Sequence, residues 1–228
     1  MNTAIILAAG QGTRMNSQTA KVLHKVGNKS LLQHVIDASH PLVNSINIII
    51  GHHSESVKKT TSNDDINWVN QKEQLGTGHA VQQAIPHIND NSICLILYGD
   101  VPLIKTETLE KLIHKAKPSG FSLLSVELED PFGYGRIIRD SKNVIQAIIE
   151  QKDANKDQIK ITEINTGIMA IRGSLLKKYL SQLEPNNSQG ELYLTDIVEK
   201  AVKDNVNIAS FICESVTEVM GINDKNQL

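Results

Sequence analysis

Short apolar runs of strand-forming residues alternate with amphipathic helical patterns along most of this 228-residue chain. Helical periodicity covers Leu31–Ser39 and Thr106–Lys115, and the second stretch places Leu109, Leu112 and Ile113 on one face. Strands that alternate with helices predict an α/β fold, in which helices cover both faces of a mostly parallel sheet. The expected strands are Ala4–Leu7, Ile46–Ile50, Ile93–Leu97, Ser122–Val126, Gly167–Ile171 and Ile208–Phe211.

The alternation loosens after Pro131, where GYGRIIRDSKNVIQAIIE has the pattern of short strands around a turn at Asp140–Asn143. This pattern predicts a small antiparallel extension of the sheet in the C-terminal half. The sequence contains no low-complexity linker and no internal repeat, so residues 1–228 are expected to form one domain.

Composition excludes several classes of protein. Hydrophobic residues make up 40% of the chain and aromatic residues only 4%, so Ile, Leu, Val and Ala must build the core. A formal charge of −2 argues against nucleic acid or an anionic membrane surface as a partner. No apolar run reaches the roughly 18 residues of a membrane span, which favours a cytoplasmic protein. Cys94 and Cys213 lie in apolar runs and are expected to be buried free thiols.

The first expected strand runs into LAAGQGTRM (Leu7–Met15), which combines small residues, two glycines and an arginine. Ligands of open α/β sheets bind beyond the carboxyl ends of the strands. Gly10 and Gly12 would let backbone amides approach an anion there, and Arg14 and Lys21 would add cations. A methionine stands where the dinucleotide-binding fingerprint needs a small residue, and the lysine of a Walker loop is missing. On the glycines alone, an ordinary strand-exit turn with surface charges is an equal alternative.

The whole string is more specific than its glycines, because Leu7–Met15 followed by Lys21 resembles the signature of the sugar-phosphate nucleotidyltransferases. That family usually has proline just before the lysine, whereas this chain has Ala20, which stiffens the loop less. Further motifs, in order along the chain, look like those of the bacterial N-acetylglucosamine-1-phosphate uridyltransferases. They are QKEQLGTGHA (Gln71–Ala80), LYGDVPLI (Leu97–Ile104), GYGRI (Gly133–Ile137), EQKD (Glu150–Asp153), NTGI (Asn165–Ile168), GELYLTD (Gly190–Asp196) and GIND (Gly221–Asp224).

The resemblance implies a Rossmann-like three-layer α/β/α fold and a reaction that joins a sugar 1-phosphate to the α-phosphate of UTP. Since the nucleophile is already a phosphate oxygen, cations and a metal are expected to dominate the site. Asp100 follows an expected strand through Gly99, at the ligand edge of the sheet, although a strand-ending Asp by itself is often a turn or cap residue. The resemblance implies Mg²⁺ on Asp100 and Asn223. It implies catalytic roles for Arg14, Lys21 and Asp100.

The resemblance also implies which residues bind the substrates. Apart from the sugar-binding residues, these are Leu7, Ala8, Ala9, Gly10, Lys21, Gln71, Gly76, Thr77, Tyr98, Gly99, Asp100 and Asn223. The resemblance assigns the base to Gln71, to the turn at Gly76 and Thr77, and to the backbone of residues 7–10. A glutamine amide can both donate to and accept from an imide such as uracil. For the sugar the resemblance implies Gly135, Glu150 and Asn165, although Glu150 alone has the pattern of a solvated charge run. Thr195 and Asp196 are expected to cap a helix over residues 197–202.

The implied substrates are UTP and N-acetylglucosamine 1-phosphate, and the implied product is UDP-N-acetylglucosamine, a precursor of peptidoglycan and lipopolysaccharide. Two alternatives stay open. One is a nucleotidyltransferase that makes another nucleotide sugar. The other is a non-catalytic sugar-nucleotide sensor, which could dispense with Lys21, Asp100 or Asn223.

Full-length members of the family carry a C-terminal left-handed β-helix acetyltransferase domain, and they form homotrimers through it. No hexapeptide repeat occurs in these 228 residues, so we expect that domain and its acetyl-CoA-dependent activity to be absent from this chain. The chain is then either part of a longer protein or a natural single-activity protein, and alone it is expected to be a monomer.

Overall fold

A computed structural model describes residues 1–10, 12, 15, 17, 19–51, 54–61, 66–224 and 227–228. The described strands are β1 (Asn2–Ala8), β2 (Lys25–Val26), β3 (Lys29–Ser30), β4 (Ser45–Ile50), β5 (Ile66–Asn70), β6 (Ile93–Tyr98), β7 (Phe121–Glu127), β8 (Arg136–Arg139), β9 (Ile145–Ile149), β10 (Glu163–Arg172) and β11 (Ala209–Ile212). The described α-helices are α1 (Leu31–Ser39), α2 (Ser54–Thr60), α3 (Thr77–Gln82), α4 (Thr106–Ser119), α5 (Gly173–Leu180), α6 (Asp196–Lys203) and α7 (Val216–Val219).

The central sheet has the order β11-β7-β10-β6-β1-β4-β5. Strand β1 pairs in parallel with β4 and β6, and β4 pairs in parallel with β5. Only β10 runs against its neighbours along this path, because it pairs antiparallel with both β6 and β7. The mostly parallel mixed sheet that the alternation predicts is therefore confirmed.

Helices cover both faces of the sheet. Buried residues of α1 and α4 form one hydrophobic core with one face of the strands. Buried residues of α3, α5 and α6 form a second core on the opposite face. The expected apolar face of α4 is buried, with Leu109, Leu112 and Ala116 fully enclosed. The result is the expected three-layer α/β/α arrangement.

The antiparallel extension is the hairpin β8–β9. Its turn has the expected position, since the Asn143 amide donates to the Asp140 carbonyl oxygen at 3.0 Å. Strand β8 also joins the start of β10, where Ile164 pairs with Arg136. Helix α6 packs against β9. The extension thus lies next to the edge at which the parallel strands end.

The edge strand β5 is the main element that the sequence pattern did not predict. Ile66 and Val69 are buried, but exposed Asn67 and Asn70 interrupt the apolar run. Such a short edge strand pairs on one side only, so packing rather than intrinsic propensity decides it. Strand β5 matters for function because Gln71 follows it directly.

Cys94 and Cys213 are free and buried, as predicted, and burial raises the pKa of the Cys94 thiol to about 11. In the part of the chain that the structure describes, no helix is both long and apolar enough to cross a bilayer.

Candidate active site

The carboxyl ends of β1, β5 and β6 meet at one edge of the sheet because these strands are parallel. The segments that follow them surround a cavity of about 270 Å³. Ten of the residues expected to bind the substrates line it: Leu7, Ala8, Ala9, Gly10, Lys21, Gln71, Gly76, Thr77, Tyr98 and Asp100. The cavity therefore lies where ligands of open α/β sheets bind.

The end of β1 and the segment after it pack closely against Gly99 and Lys21, which leaves little room for side chains. The Leu7 carbonyl oxygen accepts a hydrogen bond from the Gly99 amide at 2.9 Å. Gly12 has a φ of +60°, and a Cβ atom there would lie 2.7 Å from the Cβ atom of Lys21. A side chain at Gly12 would thus both strain the backbone and displace the lysine. Arg14 lies outside the described residues, and its expected role stays a prediction.

Lys21 and Asp100 line the cavity, and Asn223 contacts Lys21. We call these three residues the cation cluster. The Lys21 ammonium forms an ion pair with Asp100 and donates to the Asn223 Oδ1 atom at 3.0 Å. The side chains of Lys21 and Asp100 are each only 15% exposed. The Ile222 amide donates to the Asp100 carbonyl oxygen at 2.9 Å, which brings Asn223 to the same point.

The cation cluster offers suitable ligands for a hard divalent cation. Asp100 and Asn223 present a carboxylate and an amide oxygen that already share one cation, the ammonium of Lys21. Among the described residues, no group of three or more His, Cys, Asp or Glu side chains could hold a metal ion. Mg²⁺ is often held by one or two protein oxygens together with phosphate oxygens and water, so two protein ligands are sufficient.

The far end of the cavity is formed by Gln71 and the turn that begins α3. Gly76 has a φ of +109°, and a Cβ atom there would lie 2.5 Å from the Leu192 carbonyl oxygen. Only glycine fits this position, and helix α3 begins directly after it. The Thr77 hydroxyl accepts a hydrogen bond from the Leu194 amide at 3.0 Å. Thr77 therefore ties this turn to the segment before α6.

Gln74 is a cavity residue that the sequence analysis did not single out. Its amide nitrogen is buried, and among the described residues it has no hydrogen-bond partner. A buried donor without a partner is costly, so in a cavity wall it is a candidate contact for a bound ligand. The only sequence signal was its place inside QKEQLGTGHA.

A second group lies beside the hairpin, and we call Gly135, Glu150, Asn165 and Thr195 the hairpin cluster. The backbone amide of Asn165 donates to the Gly135 carbonyl oxygen at 2.8 Å. A Cβ atom on Gly135 would lie 3.3 Å from both carboxylate oxygens of Glu150. The three residues expected to bind the sugar are thus brought together from three separate elements.

Thr195 does not cap helix α6, contrary to the expectation from the sequence. Helix α6 begins next to it, but its hydroxyl makes no capping hydrogen bond. The hydroxyl instead donates to the Glu150 Oε1 atom at 3.0 Å. Burial raises the pKa of Glu150, the charges of Asp196 and Asp153 raise it further, and the bond from Thr195 opposes the rise. Glu150 is therefore not part of a solvated charge run.

Tyr98 joins the two clusters. Its ring packs against Gly167, whose φ of +81° and missing side chain leave room for it. Burial raises the pKa of the Tyr98 hydroxyl, and the charges of Glu150 and Asp100 add to this effect. The hydroxyl is therefore neutral, and the negative charge of one carboxylate from each cluster helps to keep it protonated.

Arg136 is a buried cation that the sequence analysis did not single out. It is only 1% exposed. Its guanidinium donates to the Tyr134 carbonyl oxygen, to Gln151 Oε1 at 2.8 Å and to the Ile159 carbonyl oxygen at 3.3 Å. These bonds tie the turn before β8 to the segment after β9, so Arg136 holds the two segments that carry Gly135 and Glu150.

The chain is similar to known proteins over nearly its whole length. Residues 4–159 match the family model of the MobA-like NTP transferase domain. The chain is 56% identical over 225 residues to the bifunctional protein GlmU of Ruthia magnifica subsp. Calyptogena magnifica, covering 99% of this chain and 50% of that protein. It is 51% identical over 225 residues to the bifunctional protein GlmU of Stutzerimonas stutzeri, covering 98% of this chain and 50% of that protein. The chain thus spans about half the length of the curated relatives it matches.

The fold is also similar to a solved structure of UDP-glucose pyrophosphorylase complexed with UDP-glucose. The TM-score is 0.77, covering 96% of this chain and 94% of that chain, at 17% sequence identity. At this identity the likeness concerns the fold alone, and it confirms the expected nucleotidyltransferase-like architecture. Since the family model covers well over half of the residues, including the segments after β1, β5 and β6, this chain belongs to the MobA-like NTP transferase domain family.

Proposed function

We propose that this chain transfers the uridylyl group of UTP to N-acetylglucosamine 1-phosphate, with release of pyrophosphate. The observation that carries the proposal is the contact of Lys21, a cavity residue, with both Asp100 and Asn223. The choice of substrates rests on the motifs that resemble the uridyltransferases. Those motifs include both the cavity residues and the hairpin cluster.

In this reaction a phosphate oxygen of the sugar 1-phosphate attacks the α-phosphorus of UTP. The bond from the α-phosphorus to the bridging oxygen breaks, and its electron pair leaves with pyrophosphate. The nucleophile has no proton to lose, so no general base is needed. The site must instead hold three phosphates in line and stabilise their negative charge. The ammonium of Lys21 meets this need by exchanging the Asp100 carboxylate for a phosphate oxygen.

Nucleotidyltransferases of this family generally use a divalent metal, and we propose Mg²⁺ for this chain. Asp100 and Asn223 would hold it, because they supply two hard oxygen ligands within reach of one cation. When bound, the ion supplies charge neutralisation at the reacting phosphates. Asp100 and Asn223 would hold the ion beside the cavity in which the nucleotide is proposed to lie.

Binding is divided between the two ends of the site. The uracil base would lie against Gln71 and Gly76, and the small residues of Leu7–Gly10 would let the nucleotide approach the backbone. The sugar would lie at Gly135, Glu150 and Asn165, which offer a backbone carbonyl, a carboxylate and an amide. A cytoplasmic location, and use of the product for peptidoglycan and lipopolysaccharide, belong to the same proposal.

The test is an assay of pyrophosphate release with a panel of sugar 1-phosphates and nucleoside triphosphates. We expect turnover to be highest with UTP and N-acetylglucosamine 1-phosphate, and to need a divalent metal. Comparable turnover with glucose 1-phosphate or with dTTP would contradict the substrate assignment and leave the reaction class standing. No pyrophosphate release with any pair would favour the sugar-nucleotide sensor.

A further inference from the structure

His79 lies on the first turn of α3, directly behind Gln71. The Gln71 side chain is almost fully enclosed, with 5% of its surface exposed. Its amide nitrogen Nε2 lies 3.2 Å from the Gly76 carbonyl oxygen and 3.1 Å from the Nδ1 atom of His79. Both contacts use the nitrogen end of the amide, so the oxygen end is left for a ligand in the cavity that Gln71 lines.

The Gly76 contact determines which nitrogen of His79 carries the proton. A backbone carbonyl can only accept, so the Gln71 atom that faces it must be the amide nitrogen. The same nitrogen faces Nδ1 of His79, and a hydrogen bond there needs a bare Nδ1 atom. A neutral imidazole has one bare nitrogen and one protonated nitrogen. The proton of His79 therefore lies on Nε2.

Gln83 competes for the same ring. Its amide nitrogen lies 3.1 Å from His79 Nε2 and 3.0 Å from the His79 carbonyl oxygen. One neutral imidazole cannot accept from both glutamines, so only one of the two ring contacts is a hydrogen bond. Gln71 is buried whereas Gln83 is half-buried. An unmade hydrogen bond costs more at the buried position, so the ring accepts from Gln71.

We propose that His79 is a positioning residue that fixes the orientation of the Gln71 amide and thereby favours an imide base. With its nitrogen held by Gly76 and His79, Gln71 presents an amide oxygen to the cavity. That oxygen accepts from the N3–H group of uracil, whereas cytosine has a bare N3 atom and is repelled. This inference rests on the proposed function, because it assumes that the base lies against Gln71.

The experiment compares kcat/KM for UTP and CTP, with N-acetylglucosamine 1-phosphate as the second substrate. Because one neutral hydrogen bond is lost, His79→Ala is expected to lower the UTP-to-CTP preference about three- to tenfold. The change should come mainly from KM, since the cation cluster is untouched. His79→Asn should restore most of the preference, because its Oδ1 atom can accept near the position of Nδ1. Gln83→Ala is the matched control and should leave the preference unchanged.

Gln71→Ala separates failure of this inference from failure of the proposed function. If Gln71→Ala leaves the UTP-to-CTP preference unchanged, the proposed place of the base is wrong. If Gln71→Ala removes the preference but His79→Ala keeps it, the role of His79 is wrong and the base assignment stands.

A measurement on the unmodified protein covers the case in which a variant fails to fold. Nitrogen-15 NMR of the imidazoles distinguishes the two neutral tautomers, and His79→Asn identifies the signal among the eight histidines. We expect the proton of His79 on Nε2. A proton on Nδ1 would overturn the inference.

Discussion

The cation cluster and the hairpin cluster each contain a largely buried carboxylate. The two clusters differ in whether a cation lies next to that carboxylate. Asp100 is paired with the ammonium of Lys21, which also donates to the Asn223 side chain. Glu150 has the hydroxyl of Thr195 as its nearest described donor, and burial raises its pKa. A carboxylate that is compensated by a cation can remain charged and bind a metal. One held only by a hydroxyl costs stability and suits direct hydrogen bonding to a ligand.

The largest effect is expected for Asp100→Asn, which keeps the shape of the side chain and removes the charge. Loss of one preorganised transition-state contact typically costs roughly a hundred- to a thousandfold in rate. We expect at least that loss in single-turnover pyrophosphate release, with an unchanged fold in a thermal melt. A folded variant that keeps more than about a tenth of the wild-type rate, well above that range, would mean that Asp100 is not the metal ligand.

Lys21→Ala comes next. It removes the ammonium that compensates Asp100 and is proposed to meet the phosphates, so turnover should fall by about a hundredfold. Lys25→Ala is the matched control, because Lys25 is an exposed lysine of β2 outside the cavity. Equal losses in the two variants would point to a general effect of charge rather than to the position of Lys21.

Glu150→Gln tests, through its effect on turnover, whether the Glu150 carboxylate binds the sugar. A hydrogen bond that involves a charged group contributes about 1.5–3 kcal/mol, so kcat/KM for the sugar phosphate should fall about ten- to a hundredfold. The KM for UTP should change little, because Glu150 lies in the hairpin cluster. Thr195→Val keeps the carboxylate and removes its hydroxyl partner, so it should have a smaller effect. A change confined to the KM for UTP would contradict the proposed place of the sugar.

The same variant has an opposite effect on stability, with a defined pH dependence. The pKa of Glu150 is raised in the folded protein above its usual value of 4.5. The folded state therefore binds the proton more tightly, and the wild type loses stability as pH rises from that value through the folded pKa. Glu150→Gln should melt at a higher temperature than the wild type at pH 8, and this advantage should shrink towards pH 4. An advantage that grows as the pH falls would contradict the burial argument.

The smallest effect is expected at Ala20, which directly precedes Lys21. Ala20 has a φ of −53° and a ψ of 137°, which proline adopts without strain. Ala20→Pro should stabilise the fold by about 0.4–1 kcal/mol in urea unfolding, because it restricts the unfolded chain. Ala20→Gly should shift stability in the opposite direction. Destabilisation by proline would show that the loop around Lys21 needs the amide of residue 20.

Sequence patterns predicted the central strands and helices well. They failed where contacts with distant segments of the chain determine the structure. The strands β1, β4 and β6 are mainly apolar and mostly buried, so their pattern is visible in isolation. The edge strand β5 lacks that signal. Thr195 precedes a real helix, and a cap was the local expectation, but the carboxylate of Glu150 from a distant strand end takes its hydroxyl.

The amino-acid sequence by itself determined the layered α/β fold, and its motifs contain most of the residues that line the cavity at the carboxyl ends of β1, β5 and β6. It could do so because periodicity and motif order are local properties of the chain. Only the tertiary structure decided which charges are compensated, which donors are orphaned and which nitrogen of His79 is bare. Those properties depend on atoms contributed by segments far apart in the sequence. Burial strengthens such contacts because water no longer competes for them.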